Sequence, residues 1–131
     1  MSESEKLAAL SAASSGAVVK ALGRSKYLIG TNTVHVRFCS SNGSAPSKFK
    51  FNINPNTLSA DFELWVCGSA GHYYLSPVAA MRAIYEDPQT YVDRMHPEIR
   101  VVSVDASTHK VMYASGGTST NFKRCFKAKL P

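Results

Sequence analysis

The 131-residue chain predicts a mixed α/β (α+β) fold, a central and largely antiparallel sheet of about five to six strands with helices packed on it. Three observations carry this. The hydrophobic period changes from helical to two after residue 25, short alternating runs are separated by polar turns, and Ser76-Pro77 opens a second helical stretch in mid-chain. With 44% hydrophobic and 18% charged residues, the composition is that of a single domain able to bury a core.

Residues 4–23 are rich in Ala and Leu, with Leu7, Leu10, Val18, Val19 and Leu22 at roughly helical spacing. They predict a helix, bent or broken at Ser14-Ser15-Gly16 and capped by Gly23. Residues 26–30 read as a short strand. Residues 33–39 alternate, Val34, Val36 and Phe38 on one face, Thr33, His35 and Arg37 on the other. After a polar loop over residues 40–47, residues 48–54 alternate again. Phe49, Phe51 and Ile53 turn inward there, and Lys48, Lys50, Asn52 and Asn54 outward. Residues 61–67 are apolar on both faces, which places them centrally in the sheet. Residues 72–75 return as a strand.

Ser76 as N-cap and Pro77 at the first helical position then predict a helix to about residue 85. A further helical turn is expected over 91–95, followed by strands over 99–104 and 110–114 around a turn at 105–108. Residues 115–120 read as a loop. The domain is expected to span residues 1–121, with 122–131 a basic C-terminal tail or a last strand.

Charge is placed unevenly. The net charge is +6, yet residues 6–60 contain no acid, the stretch 61–121 is net acidic, and residues 122–131 hold four cations and no acid. Such a polarised distribution favours a polyanion as partner. Period-two geometry gathers His35 and Arg37 on one strand face, and Lys48, Lys50 and Asn52 on the next. If the two strands pair, they form a basic plaque whose cations neutralise phosphates. Lys123, Arg124, Lys127 and Lys129 interleave with Phe122 and Phe126, a pattern suited to following a nucleic-acid backbone. Trp65, Tyr73 and Tyr74 fit a hydrophobic core better than a stacking pocket.

Other chemistries find little footing. His72, His96 and His109 are isolated from any Cys or His at zinc-ligand spacing, so no metal site is expected. No Gly-x-Ser-x-Gly stands in the chain, and Ser115-Gly116-Gly117 lacks the Lys and helix of a phosphate loop. Cys39, Cys67 and Cys125, odd in number and widely spaced, read as free thiols of a reducing compartment. The opening Met-Ser-Glu-Ser-Glu-Lys has neither the basic nor the apolar region of a secretory signal, and no stretch approaches the ~20 apolar residues of a membrane span. The expected setting is the cytoplasm, away from membranes. Oligomeric state is open, a homodimer among the alternatives.

Residues 15–78 carry a recognisable order: a helix ending in Gly-Arg, the strand Tyr27-Leu28-Ile29, then Val34-His35-Val36-Arg37-Phe38-Cys39-Ser40-Ser41. Phe49-Lys50-Phe51-Asn52, Asp61-Phe62-Glu63-Leu64-Trp65-Val66 and Tyr73-Tyr74-Leu75-Ser76-Pro77 follow. This order resembles the core of the PD-(D/E)XK (restriction-endonuclease-like) nuclease superfamily. The resemblance implies a nucleic-acid-binding, DNA-directed scaffold. Active members hold Mg²⁺ with an Asp and a Glu-x-Lys, whereas the matching position here reads His35-Val36-Arg37 with no acid before it from Lys6 onward. The first expectation is therefore a DNA-binding protein on a catalytically degenerate scaffold, without cofactor. A second is a Mg²⁺-dependent endonuclease with displaced carboxylates, Asp61 and Glu63 as ligands and Lys50 or His35 assisting the water. A third is a protein-interaction module for an acidic partner.

Overall fold

Apolar alternation sorts the chain into two cores, one on each side of a five-stranded sheet. The structure, a computed structural model, describes residues 2–114 and 118–131. Among them lie two helices and nine strands in an α+β arrangement, mostly sheet. The first sheet contains β1 (Lys20–Gly23), β2 (Lys26–Ile29), β3 (Asn32–Cys39), β5 (Phe62–Cys67) and β6 (Tyr73–Pro77), in the order β1-β2-β3-β5-β6. Its pairs are antiparallel except β3 with β5, which run parallel with Val34 opposite Phe62 and Cys39 opposite Cys67. The second sheet orders β4 (Lys48–Lys50), β7 (Ser103–Asp105), β8 (Lys110–Ala114) and β9 (Thr118–Asn121), all antiparallel.

Helix α1 (Ser2–Ala13) covers one face of the first sheet. Its Ala9, Leu10 and Ala13 pack among Tyr27, Val34, Val36, Leu64, Val66 and Leu75. The opposite face of that sheet, with Trp65, Cys67 and Tyr74, meets helix α2 (Val78–Tyr85) and the inner face of the second sheet. There Phe51 stacks on Trp65 with ring centres 4.4 Å apart. The centre of the first sheet is thus buried on both sides, which is why β5 is apolar on both of its faces. The second sheet is covered on one side only.

Several boundaries differ from expectation. The N-terminal helix stops at Ala13 because Ser15 and Gly16 take positive φ of 56° and 77°. Residues 20–23, expected as helix, form the exposed edge strand β1. Gly23 is no helix cap, since Arg24 and Ser25, both left-handed, turn a two-residue hairpin into β2. Strand β6 runs on through Pro77, which becomes the N-cap of α2, while the Ser76 hydroxyl bonds the Pro77 carbonyl instead of capping the helix.

No helical turn forms over 91–95. Tyr91 bonds Tyr113 and Val101 and Val92 bridges Arg100, so 91–93 lie extended, and the chain then bends at 94–95, where the Met95 and His96 amides bond the Asp93 carboxylate. The strand expected over 99–104 is reduced to β7, and the pairing of 51–53 with 100–102 continues irregularly. Of the loop expected over 115–120, residues 115–117 lie outside the described residues and the rest opens β9. Residues 122–131 form neither a free tail nor a strand. Phe122 is buried, Lys123–Cys125 make a 3-10 turn, Lys127 N–H bonds the Tyr73 carbonyl and Leu130 N–H that of Ala13. Among the described residues no helix is long and apolar enough to cross a membrane.

Candidate polyanion-binding face

The expected plaque requires β3 to pair with β4, and it does not. Strand β3 pairs with β2 and β5, while β4 pairs with β7 in the other sheet. His35 and Arg37 therefore separate from Lys48, Lys50 and Asn52. They face the covered side of the first sheet, in a polar row that the register builds: Lys26 opposite His35, His35 opposite Glu63, Glu63 opposite Ser76.

Glu63 is fully buried there, and Arg37 reaches it with a fork, Nε–Oε1 at 2.6 Å and Nη2–Oε2 at 3.4 Å. The same Nη2 donates to Thr57 Oγ1 at 3.0 Å and to His35 Nδ1 at 3.1 Å. Arg37 Nε and Nη2 are thus engaged by internal acceptors, Glu63 first among them. Burial raises the Glu63 carboxyl above its ordinary range, and the Arg37 guanidinium pulls it back down. Burial first, and then Arg37, lower the His35 pKa to about 4. The imidazole is neutral at pH 7, which suits its role as acceptor from Arg37.

A pH dependence follows. The unfolded chain protonates His35 near the ordinary 6.5 and the folded one only near 4, so between those values the unfolded state binds more protons. Stability contributed by a neutral His35 is complete above about pH 6.5 and is lost as pH falls toward 4. The drop from 6.5 to about 4 corresponds to at most ~3 kcal/mol, reduced to ~2 because part of the ring meets solvent. Glu63, with its raised pKa, opposes this at the acid end. Denaturant melts at pH 7 and pH 5 should show the loss in the natural chain, and a flatter profile in His35→Asn.

The displaced-carboxylate arrangement does not assemble either. Asp61 Oδ2 accepts from the Thr33 amide at 2.9 Å and hydroxyl at 3.0 Å, which holds its carboxyl below the usual range. Glu63 is occupied by Arg37, and Lys50 sits on the second sheet. Among the described residues no group of three or more His, Cys, Asp or Glu is placed to hold a metal ion.

What the structure does assemble is the uncovered face of the second sheet. Register puts Lys48, Asp105, Lys110 and Asn121 in one row, and Lys50, Ser103, Met112 and Ser119 in the next. Lys48, Lys50 and Lys110 are exposed, and none of them makes an ion pair among the described residues. Asp105 is the one acid of the two rows. Its Oδ1 accepts from the Ser107 hydroxyl at 2.6 Å and amide at 2.9 Å, and these bonds, with a smaller pull from Lys48, keep it ionised below the ordinary range. Beside Lys48 and Lys50 opens a groove of about 600 Å³, walled by Cys39, Ser40, Ser41, Asn42 and Ser103. Hydroxyls and cations thus line one concave surface.

Asn52 continues the outward series of β4 and is exposed. Lys123 and Arg124, also exposed, follow directly on the Asn121 end of the first row, where the Asn121 side chain accepts from the Lys123 amide at 2.8 Å. Lys127 and Lys129 belong elsewhere. Lys127 lies over the Phe126 ring and Lys129 bonds the Ala12 carbonyl at 3.0 Å, near the end of α1. Trp65 and Tyr74 are fully buried and Tyr73 nearly so, as core residues.

Lys110 and Ser103 escape the sequence reading. The signal is present, since Val111 and Tyr113 point inward and so turn Lys110 and Met112 outward. Only the pairing of β4 with β7 brings them beside Lys48 and Lys50.

Fold and face together define a class: an α+β protein of stacked sheets, one sheet presenting an open, cation-bearing surface. No family model matches the chain, and no curated protein or solved structure matches it.

Proposed function

We propose that this chain binds nucleic acid, duplex DNA in the first instance, through the open face of its second sheet. The supporting observation is the register that sets Lys48, Lys50 and Lys110, without ion pairs among the described residues, on one exposed face, the first two on the wall of a groove lined also by Ser40, Ser41 and Ser103. Strand geometry spaces Lys48 from Lys50 by ~7 Å and from Lys110 by ~10 Å. The first separation is within the Debye length of ~8 Å at physiological salt and the second is comparable to it, so the fields of the lysines overlap over the face and are offset in part by Asp105. Short hydroxyls and loop amides then bond phosphate oxygens between the cations. The outward positions of the two rows contain no aromatic ring, so the face offers backbone contact without a stacking platform. A paired backbone suits it better than splayed bases.

Fluorescence-polarisation titration of a labelled duplex across salt concentrations tests this. The expected result is binding whose log K falls with log salt at a slope of about −3, near 0.9 for each of three phosphate contacts. Absence of binding to duplex and single-stranded probes at ~0.1 M salt would remove the proposal, since backbone contacts persist there.

A further inference from the structure

Cys39 and Cys67 end the two parallel strands directly opposite each other, so their side chains stand on the same face. We infer that these two thiols form a redox clasp, closing to an intramolecular disulfide when the chain meets a small-molecule disulfide such as oxidised glutathione. Neighbouring strands lie ~4.8 Å apart, within the Cα range of roughly 4.4–6.8 Å that a disulfide spans. The thiols sense each other: burial chiefly, and the Cys39 sulfur next, push the Cys67 thiol far up from its ordinary value. The ladder ends at this point. Gly68 N–H bonds the Cys39 carbonyl at 2.8 Å, and both chains then leave in loops, with Gly68 at a φ of +78°.

Access differs for the two sulfurs, and the difference sets the order of steps. Cys39 is half-buried on the wall of the groove with Lys48 and Lys50, cations that draw in an anionic tripeptide disulfide. Cys67 is buried beside the adjoining cavity of about 470 Å³ with Ser41, Phe49 and His72. The Cys39 thiolate attacks one sulfur of oxidised glutathione, a mixed disulfide forms and one glutathione thiolate leaves. The Cys67 thiol then gives its proton to water, and its thiolate attacks Cys39 Sγ and expels the second glutathione as a thiolate, which takes up a proton. In sum two protein thiols are oxidised to one disulfide, and one glutathione disulfide is reduced to two thiols. Cys125 takes no part. Its neighbour Phe126 bridges Tyr74 on β6, so Cys125 lies on the β6 side of β5, away from Cys39 on β3.

Intact-mass analysis of the full chain after incubation with oxidised glutathione tests the clasp independently of any nucleic-acid binding. The expected product has lost two hydrogens and regains them with a reductant. Trypsin places the three cysteines on separate peptides, so the linked pair should join the Cys39 and Cys67 peptides. Cys125→Ser should keep the loss, and Cys39→Ser, at a half-buried position, should abolish it. A chain that stays reduced, accumulates only a glutathione adduct on Cys39, or links Cys125 instead would overturn the inference.

Discussion

Arg37→Ala is expected to lower folding stability by about 3–5 kcal/mol, the loss that follows when one partner of a buried ion pair is removed. The cause is Glu63, fully buried and left without its fork, together with Thr57 and His35, which lose a donor each. Domains of this size are stable by only ~5–15 kcal/mol, so the variant should melt about 10–20 °C lower or fail to accumulate. A second variant separates this cause from any role in binding. Arg37→Met combined with Glu63→Leu removes both charges and fills the space with apolar atoms, which elsewhere is often neutral or stabilising. The double variant should regain most of the stability and bind nucleic acid as the natural chain does. Thermal melts and polarisation titrations on the same samples read both. A double variant that folds but no longer binds would return Arg37 to the interface.

The reverse pattern is expected for Lys48→Ala, Lys50→Ala and Lys110→Ala combined. All three side chains are exposed and without ion pairs among the described residues, so the melting temperature should hardly move. Affinity for a duplex at low salt should fall on the order of a thousandfold, at roughly 1.5 kcal/mol for each charge-assisted contact. The salt slope should flatten by about 3, one phosphate contact for each lysine. Single variants should each take about a third of the effect, because nonspecific backbone contacts are close to additive at such spacing. A triple variant that binds with unchanged affinity and slope would remove these lysines from the site.

The contrast between these two variants shows what could be seen in the chain beforehand. Alternation in β3, β4 and β5 is local, and it assigns faces correctly: Val34, Val36, Phe49, Phe51 and Leu64 are buried, and Lys48, Lys50 and Asn52 are exposed. Pairing is not local. Nothing in the chain between Lys50 and Ser103 announces that they lie opposite each other, and nothing near Arg37 announces a partner at Glu63. A polar residue on a strand reads as solvent-facing until a second layer covers it. The centre of the first sheet is covered on both sides, which turns the His35–Arg37 pair from a surface feature into an internal one.

Residues 20–23 illustrate the same limit from the other direction. Ala21 and Leu22 favour a helix by composition, yet all four residues are exposed and no burial pattern marks them as a strand. Their conformation is set by the Arg24-Ser25 turn and by the free edge of β2. Tertiary pairing overrides local preference there. The tail is a milder case. Its interleaved cations and aromatics read as a nucleic-acid-following pattern, yet Phe122 docks in the core, and the tail's course across β6 to Ala13 depends on contacts far away in the chain.

The nucleic-acid reading is tested most directly by amide chemical-shift mapping during titration with a short DNA duplex. Shifts are predicted to concentrate on β4, β7 and β8, on the loop over residues 40–47 and on Lys123 and Arg124, while α1 and the Arg37–Glu63 region stay still. A response confined to α1, or none at a saturating duplex concentration in low salt, would contradict the assignment of the open sheet as the binding face.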